Sequence, residues 1–314
     1  MEFITPIKIV VCSAGVAFNL TNIRVFLQQD WRTNNVTLAL LSLSVSDLLV
    51  LLALIAVDIL VILHTLSPTT VDYLGIMYYI VGWTMAMFFD ISSLTTVLVS
   101  LERCLCIIMP LHVHSLFSVK RTVAFLLAMD ILVVLSYIIL FSTLTLQWAY
   151  DHSLNTTRLI VALSKERKQV EMGHNISNAI ILPTFSELAV VINTVVMVIG
   201  LKRSSKFQKK ASDQHNTSGS SKYKRLVIVV CCISCIFISC NTPLVIFIYS
   251  KHFIPGFTFT GVYRHWYLGG VQLLTLLYIM NASVNFFVYF FLNQRFRDKL
   301  REIVCGSSPE TSSS

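Results

Sequence analysis

Apolar residues arrive in long unbroken runs along this chain, near 5–27, 36–63, 74–108, 122–147, 176–201, 226–250 and 266–292, with polar stretches between them. Each run is long enough to cross a bilayer, which takes ~20 predominantly apolar residues in a helix. A spanning backbone must satisfy its own hydrogen bonds, so helices are the expected form. The last two runs are the cleanest, with no Asp, Glu, Lys or Arg from Leu226 to Ser250 or from His265 to Gln294. Lys8 interrupts the first run near its start, yet "IVVCSAGVAFNLTNI" still reads as buried helix. Continuous rather than alternating hydrophobicity argues against a β-barrel. The first run lacks a basic leader and a small-residue cleavage site, so it is expected to stay in the membrane as an anchor. The pattern predicts an all-α membrane protein, a seven-transmembrane helix bundle over residues 1–292.

Composition agrees with that pattern and adds an orientation. Of 314 residues 55% are hydrophobic and 13% charged, with a mean hydropathy of +0.73; soluble domains carry about a quarter charged residues. With Met1 outside, 17 of the 24 Lys and Arg residues fall on the inner side and 7 (Lys8, Arg158, Lys165, Arg167, Lys168, Lys251, Arg264) on the outer. Positive-inside bias therefore predicts a plasma-membrane protein with an extracellular N-terminus and Ser314 in the cytoplasm. The net charge of +8 then meets anionic membrane lipid and is no argument for nucleic acid. The eight cysteines (12, 104, 106, 231, 232, 235, 240 and 305) all fall in the membrane or inside, so no outer disulfide framework is expected.

Two connections are long. Residues 148–175 read as a polar outer loop carrying sequons at Asn155 and Asn175, the two glycosylation candidates. Sequons at Asn19, Asn35, Asn216 and Asn281 lie in the membrane or inside and are expected to be silent. Residues 202–225, basic and Ser-rich, read as a flexible cytoplasmic loop. In the tail, Phe296, Leu300, Ile303 and Val304 repeat at helical spacing opposite charged residues. Residues 293–304 are thus expected to be a short interfacial amphipathic eighth helix. Cys305 behind it is a palmitoylation candidate, and 305–314 read as a disordered tail.

The oddest feature is an acid and a base, Glu102–Arg103, inside "SLTTVLVSLERCLCIIMPLHV". It belongs to an ordered set of landmarks: Asn19 in "GVAFN", Asp47 in "LSVSD", "ERC" with Pro110 seven residues after Arg103, Pro183, Phe237 followed by "CNTP" (240–243), "NASVNFFVY" with Asn281, Asn285 and Tyr289, and Phe296 seven residues further on. This set resembles the rhodopsin-like family of G-protein-coupled receptors over nearly the whole chain. The resemblance implies a receptor that turns an extracellular ligand into activation of a heterotrimeric G protein, with Glu102, Arg103, Phe237, Asn285 and Tyr289 as its switch. At rest Glu102 neutralises Arg103, and outward movement of the sixth helix frees the guanidinium for the G protein. Taken alone, such a pair reads as an ordinary interfacial salt bridge. The stretch "ERCLCIIMPLHVHSLFSVKRT" is also similar to gastropod chemosensory-type receptors and to some invertebrate neuropeptide receptors.

Five acids lie within the predicted helices, Asp47, Asp58, Asp90, Asp130 and Glu187, with no Lys or Arg at their depth by sequence, and each needs an explanation. The resemblance implies that Asp47, Ser92, Asn281 and Asn285 hold a sodium ion, which suits oxygen ligands; a protonated or water-bonded Asp47 is the alternative. Apart from that ion no cofactor is expected. Asp58, near the outer mouth, is a ligand-contact candidate, and Asp90 either floors a pocket or bonds a neighbouring helix. By register Met85, Phe89, Asn241, Gln272 and Thr275 line the upper cavity, or simply pack helices together. Met85 stands where amine receptors carry an acid, which argues against a monoamine.

The chain departs from the family pattern in four places. Tyr78 replaces the cysteine that would tether the outer loop, leaving that loop untethered. Asn241 replaces a tryptophan, Phe286 replaces the seventh-helix proline, and no acid lies near Tyr223, Lys224 and Arg225 to share Arg103. A transporter or channel is the alternative function. An enzyme is not expected, because His112 and His114 have no partner for chemistry.

Overall fold

The computed structural model describes residues 4–67, 70–109, 117–152, 155–211, 218–258 and 261–305. Among them are seven helices long and apolar enough to cross a membrane, so the chain is a multi-pass membrane protein. Helix α1 is Ile4–Leu27 and α2 is Asn35–Leu66. Asn34 caps α2, accepting from the Val36 and Thr37 N–H groups at 3.1 and 3.4 Å, which satisfies donors a helix start leaves open. Helix α3 spans Tyr73–Ile108 and loosens to π-helix at Met77–Val81. Helix α4 is Val119–Phe141. Helix α5 begins as Arg167–His174, is π-helical at Asn175–Ile181 and continues as Leu182–Ala211. Helices α6, Ser218–Phe253, and α7, Arg264–Leu292, follow, and α8, Gln294–Cys305, closes the described chain.

Three expectations change. The fourth helix stops at Phe141 instead of reaching residue 147, because the chain enters a strand, Leu144–Asp151 (β1), paired antiparallel with Thr156–Leu163 (β2). Leu, Thr, Val and Ile fill these segments; hydropathy reads them as membrane or loop, while their β-branched and alternating character favours a strand. The outer connection is also not untethered. Asp72 donates its N–H to the Leu159 carbonyl at 2.8 Å and Leu159 donates to Thr70 at 3.1 Å. Arg158 bridges Asp72 and Asp151 at 3.2 and 3.1 Å. Hydrogen bonds and ions thus hold the hairpin where a disulfide was missed. Finally, α5 runs to Ala211 and α6 starts at Ser218, so most of the expected 202–225 loop is helix.

The core sits along the bundle axis. Half or more of α3's most apolar window is buried (67%), against 22% for α4, which makes α3 central and α4 peripheral. On α4, Ile131, Leu132, Leu135, Ile138 and Ile139 face outward, as expected where the solvent is hydrocarbon. One apolar cluster joins Phe26, Leu40, Leu43, Met197, Ile233, Tyr289 and Phe296. A second joins Leu51, Leu54, Phe89, Leu244, Leu274 and Ile279. Helix α7 is continuous through Phe286, whose ring stacks on Phe18 at 4.9 Å. Aromatic packing against α1 takes the position where a proline would have kinked the helix. Close approach of α1 and α7 needs Gly15, since a Cβ there would meet Ser283 Oγ at 2.3 Å; Asn19 then donates to the Ala282 carbonyl at 2.7 Å. In α8, Phe296 packs against Phe26 and Tyr289, with Leu300 and Ile303 half-covered and Val304 exposed.

One charge pair overturns the sequence reading of the membrane acids. Lys8 shares the depth of Asp58, and its Nζ lies 2.5 Å from the carboxylate, which is 3% exposed. Removing one partner of a buried pair costs about 3 kcal/mol, while replacing both by apolar residues is near neutral. Lys8→Met should therefore lower the melting temperature of the purified protein by several degrees, and Lys8→Met with Asp58→Leu should recover most of it. Equal melting of the single variant and the parent would show that the pair does not hold α1 to α2.

Candidate functional site

The Glu102–Arg103 pair is buried within the bundle. Arg103 is 7% exposed and Glu102 3%, and Arg103 Nη2 donates to Glu102 Oε1 at 2.7 Å. Adjacent residues on a helix point ~100° apart and do not normally meet, so this contact forms because the long arginine folds back along α3. Among the described residues Glu102 is its one ion-pair partner, and Arg103 Nε has no acceptor. Nearby, Asn193 of α5 donates to Ser100 of α3 at 3.0 Å. Val227, Val230 and Ile233 of α6 share one apolar cluster with Tyr289 and with Cys104, the residue after Arg103. Tyr289 is buried with its hydroxyl unpartnered, and Phe237 is buried on α6.

Asp47 is the polar hub of the middle of the bundle. Ser92 of α3 donates to one carboxylate oxygen at 2.6 Å and Asn285 of α7 to the other at 2.8 Å. Asn281 lies one turn before Asn285, also buried. Three of the four predicted sodium residues are thus hydrogen-bonded together, and the fourth flanks them. Carboxylate, hydroxyl and amide oxygens are the donor set a hard cation accepts.

The predicted upper-cavity residues are not gathered into one site. Met85 and Phe89 pack within the second apolar cluster, Phe89 edge-on to Tyr278 at 4.4 Å. Thr275 returns its hydroxyl to the Val271 carbonyl of its own helix, and Gln272 is half-buried on the same helix. Asp58 is occupied by Lys8. Asn241 instead donates to Glu187 at 2.9 Å, with Thr242 donating to the other Glu187 oxygen at 2.6 Å. Glu187 therefore clamps α5 to α6 at the two residues directly before Pro243, which lies inside α6. A proline there leaves the Ser239 carbonyl without its helical donor and bends the helix.

Asp90 ties three helices. Tyr137 of α4 donates to it at 2.8 Å and Asn178 of α5 lies at 3.5 Å, also bonding Ser136. Asp130 has no partner among the described residues and nothing in the structure explains it. Asn155 sits exposed at the hairpin tip with φ 51°, a left-handed conformation that Asn tolerates. Asn175 starts the π-helical segment of α5 and so lies in a helix, not in the expected loop. Cys305, exposed, ends α8. His112, His114 and Pro110 lie outside the described residues. The sequence missed Lys8, Asn193 and the acceptor role of Glu187, whose partners lie 50 or more residues away; Lys8 breaking an apolar run was the one available signal.

None of the curated proteins matches the chain. A family model described as "Serpentine type 7TM GPCR chemoreceptor Srw" matches residues 6–307. That match takes in all seven crossing helices and α8, and the chain therefore belongs to the Srw family of serpentine seven-transmembrane chemoreceptors.

Proposed function

We propose that the protein is a G-protein-coupled receptor of the plasma membrane, with the hairpin end outside and the Arg103 end toward the cytoplasm. The observation that carries the reading is a buried guanidinium held by a single neighbouring carboxylate, directly before Cys104, which packs in one apolar cluster with Val227, Val230 and Ile233 of α6. A ligand bound at the hairpin end favours an arrangement in which α6 moves outward at the Pro243 bend. Arg103 then leaves Glu102 for a heterotrimeric G protein, with Phe237, Asn285 and Tyr289 repacking around it. A ligand shifts such a two-state element only through its differential affinity for the two states. The rhodopsin-like landmarks and the chemoreceptor family support this reading, and family membership points to a receptor, not an enzyme. The narrower likeness to gastropod chemosensory or neuropeptide receptors rests on a stretch whose residues 110–116 lie outside those described. Glycosylation at Asn155 and lipid attachment at Cys305, each on an exposed end of its element, belong to the same proposal.

Sodium is part of the proposal as an oxygen-liganded ion held by Asp47 with Ser92, Asn281 and Asn285. There it would supply positive charge to a carboxylate that otherwise rests on two hydrogen bonds. Replacing N-methylglucamine chloride by sodium chloride should raise the melting temperature of the parent by about 2–4 °C, the shift of a 1 kcal/mol linkage in a chain this large. Asp47→Asn should abolish the difference. An equal rise in that variant would remove the ion from Asp47.

The switch is tested at its two charges. Arg103→Ala should reduce nucleotide exchange on a co-expressed promiscuous G protein at least ~10-fold while leaving surface expression intact. Glu102→Gln loses a charge-assisted hydrogen bond worth ~1.5 kcal/mol or more, so ligand-free second-messenger output should rise up to ~10-fold. Unchanged basal output in Glu102→Gln would count against the pair as the resting lock. Substrate flux across vesicles, retained in Arg103→Ala, would favour a transporter.

A further inference from the structure

Outside the switch and the Asp47 hub, one group of buried donors lies at the hairpin end between α3, α4 and α5. Arg167, 4% exposed, donates from Nε to Glu171 at 3.0 Å and from Nη1 to the Leu140 carbonyl and Thr143 Oγ1 at 3.0 and 3.1 Å. Its Nη2 has no acceptor. The guanidinium lies over the rings of Tyr79 and Trp83, 5.4 and 6.0 Å from their centres. Trp83 meets His174 edge-on at 5.3 Å, and His174, 6% exposed, packs on Tyr137 at 4.4 Å. Trp83 Nε1 and His174 Nε2 are also without partners. Buried donors are nearly always paired, so the two orphan donors, on Arg167 and on the Trp83 ring beside it, call for an acceptor.

A second observation points the same way. The two π-helical segments, Met77–Val81 and Asn175–Ile181, lie on the two helices that supply these residues. Tyr79 is in the first, and His174 directly precedes the second. Such segments are rare and concentrate at functional sites.

We propose that this cluster binds the carboxylate of a small organic acid, which names the ligand class for the receptor proposed above and rests on that reading. A carboxylate offers two acceptor oxygens to Arg167 Nη2 and Trp83 Nε1, and the planar guanidinium matches its geometry. Tyr79 and Trp83, both half-buried, give aromatic surface for the apolar body of the acid. Two acids face the cluster. Asp90 is engaged by Tyr137 and Asn178. Glu171 competes directly for Arg167, but its side chain is 26% exposed and reaches water when a ligand acid takes its place. A neutral ligand or a bound water could accept the same hydrogen bonds, but neither gains from the guanidinium charge.

The test uses the full-length receptor, purified in lipid nanodiscs without G protein, with butyrate and phenylacetate as probes and their amides as neutral matches. The acids should raise the melting temperature saturably and shift the emission of Trp83 in a form carrying Trp31→Phe, Trp148→Phe and Trp266→Phe; the amides should not. Arg167→Gln should weaken half-saturation at least ~10-fold, as loss of a charge-assisted bond does, and Glu171→Gln should strengthen it. If Arg167→Gln fails to fold, Trp83→Phe, which keeps an aromatic ring and drops the N–H, should weaken binding by thermal shift. Amides equal to acids, an undiminished response in the variant that folds, or no response to either acid at about 50 mM, which fills any millimolar site, would overturn the proposal. Binding is read here without G protein and coupling by nucleotide exchange, so a failure here and a failure of G-protein coupling are read separately.

Discussion

Hydrocarbon offers a buried carboxylate nothing, and every acid buried inside this bundle, the half-buried Asp130 apart, finds its partner on another helix or on its own. That constraint fixes neighbours more firmly than apolar packing, which is as favourable against lipid as against protein. Asp58 holds α2 to α1 through Lys8, and Asp47 holds α2 to α3 and α7 through Ser92 and Asn285. Asp90 holds α3 to α4 and α5, and Glu187 holds α5 to α6. Glu102 alone stays on its own helix, with Arg103. Among the five acids paired deep in the bundle, the one that joins no helices is paired with Arg103.

That difference marks where the bundle can change. The other acids lose a partner when their helices part, at the cost of an unsatisfied group in a medium without water. In the function proposed above, Arg103 needs only a new acceptor for the one it leaves, which an incoming acidic or carbonyl-bearing partner would supply. Movement of α6 is opposed chiefly by its bonds to Glu187 and by a Thr184–Tyr249 contact at 3.2 Å. Asn241 thus replaces an aromatic side chain with an amide that is directional and all-or-none. With α7 unkinked and its Phe286 stacked on α1, the bend available to this chain lies in α6 at Pro243.

Much of the bundle was legible because crossing a membrane demands a composition, and composition is one-dimensional. The runs for α1, α2, α3 and α7 match their helices within three residues at both ends, while those for α5 and α6 stop ten and eight residues short, at 201 and 226. The fourth overran because mean hydropathy cannot tell a greasy strand such as "LTLQWAYD" from the end of a span. Positions set by short spacing along one helix, such as Asn281 and Asn285, were also readable. Pairings were not. Lys8 was assigned to the outer side by its place near the chain start, yet a long flexible stem carries its charge inward to Asp58. Asn241 was placed in a cavity by register, while its actual acceptor lies 54 residues earlier on α5. The ordering of the hairpin was hidden for the same reason, since Arg158 means nothing until Asp72 is beside it.

Helices α3 and α5 carry both ends of the molecule. Trp83 and Arg103 are 20 residues apart on α3, which is ~30 Å at 1.5 Å per residue. Along this seam Asp90 bonds Asn178 and Ser100 bonds Asn193, and near the Arg103 end Gly200 lets Ile107 come within a distance that any Cβ would deny. A seam bonded at two levels and closely packed at a third moves as a unit or not at all. Its π-helical segments are the exception, because a widened turn can shed or gain a residue of register without breaking the bonds below it. In the function proposed above, ligand binding at the hairpin end would have two outlets: the register of α5 above Pro183, and through Glu187 the tilt of α6.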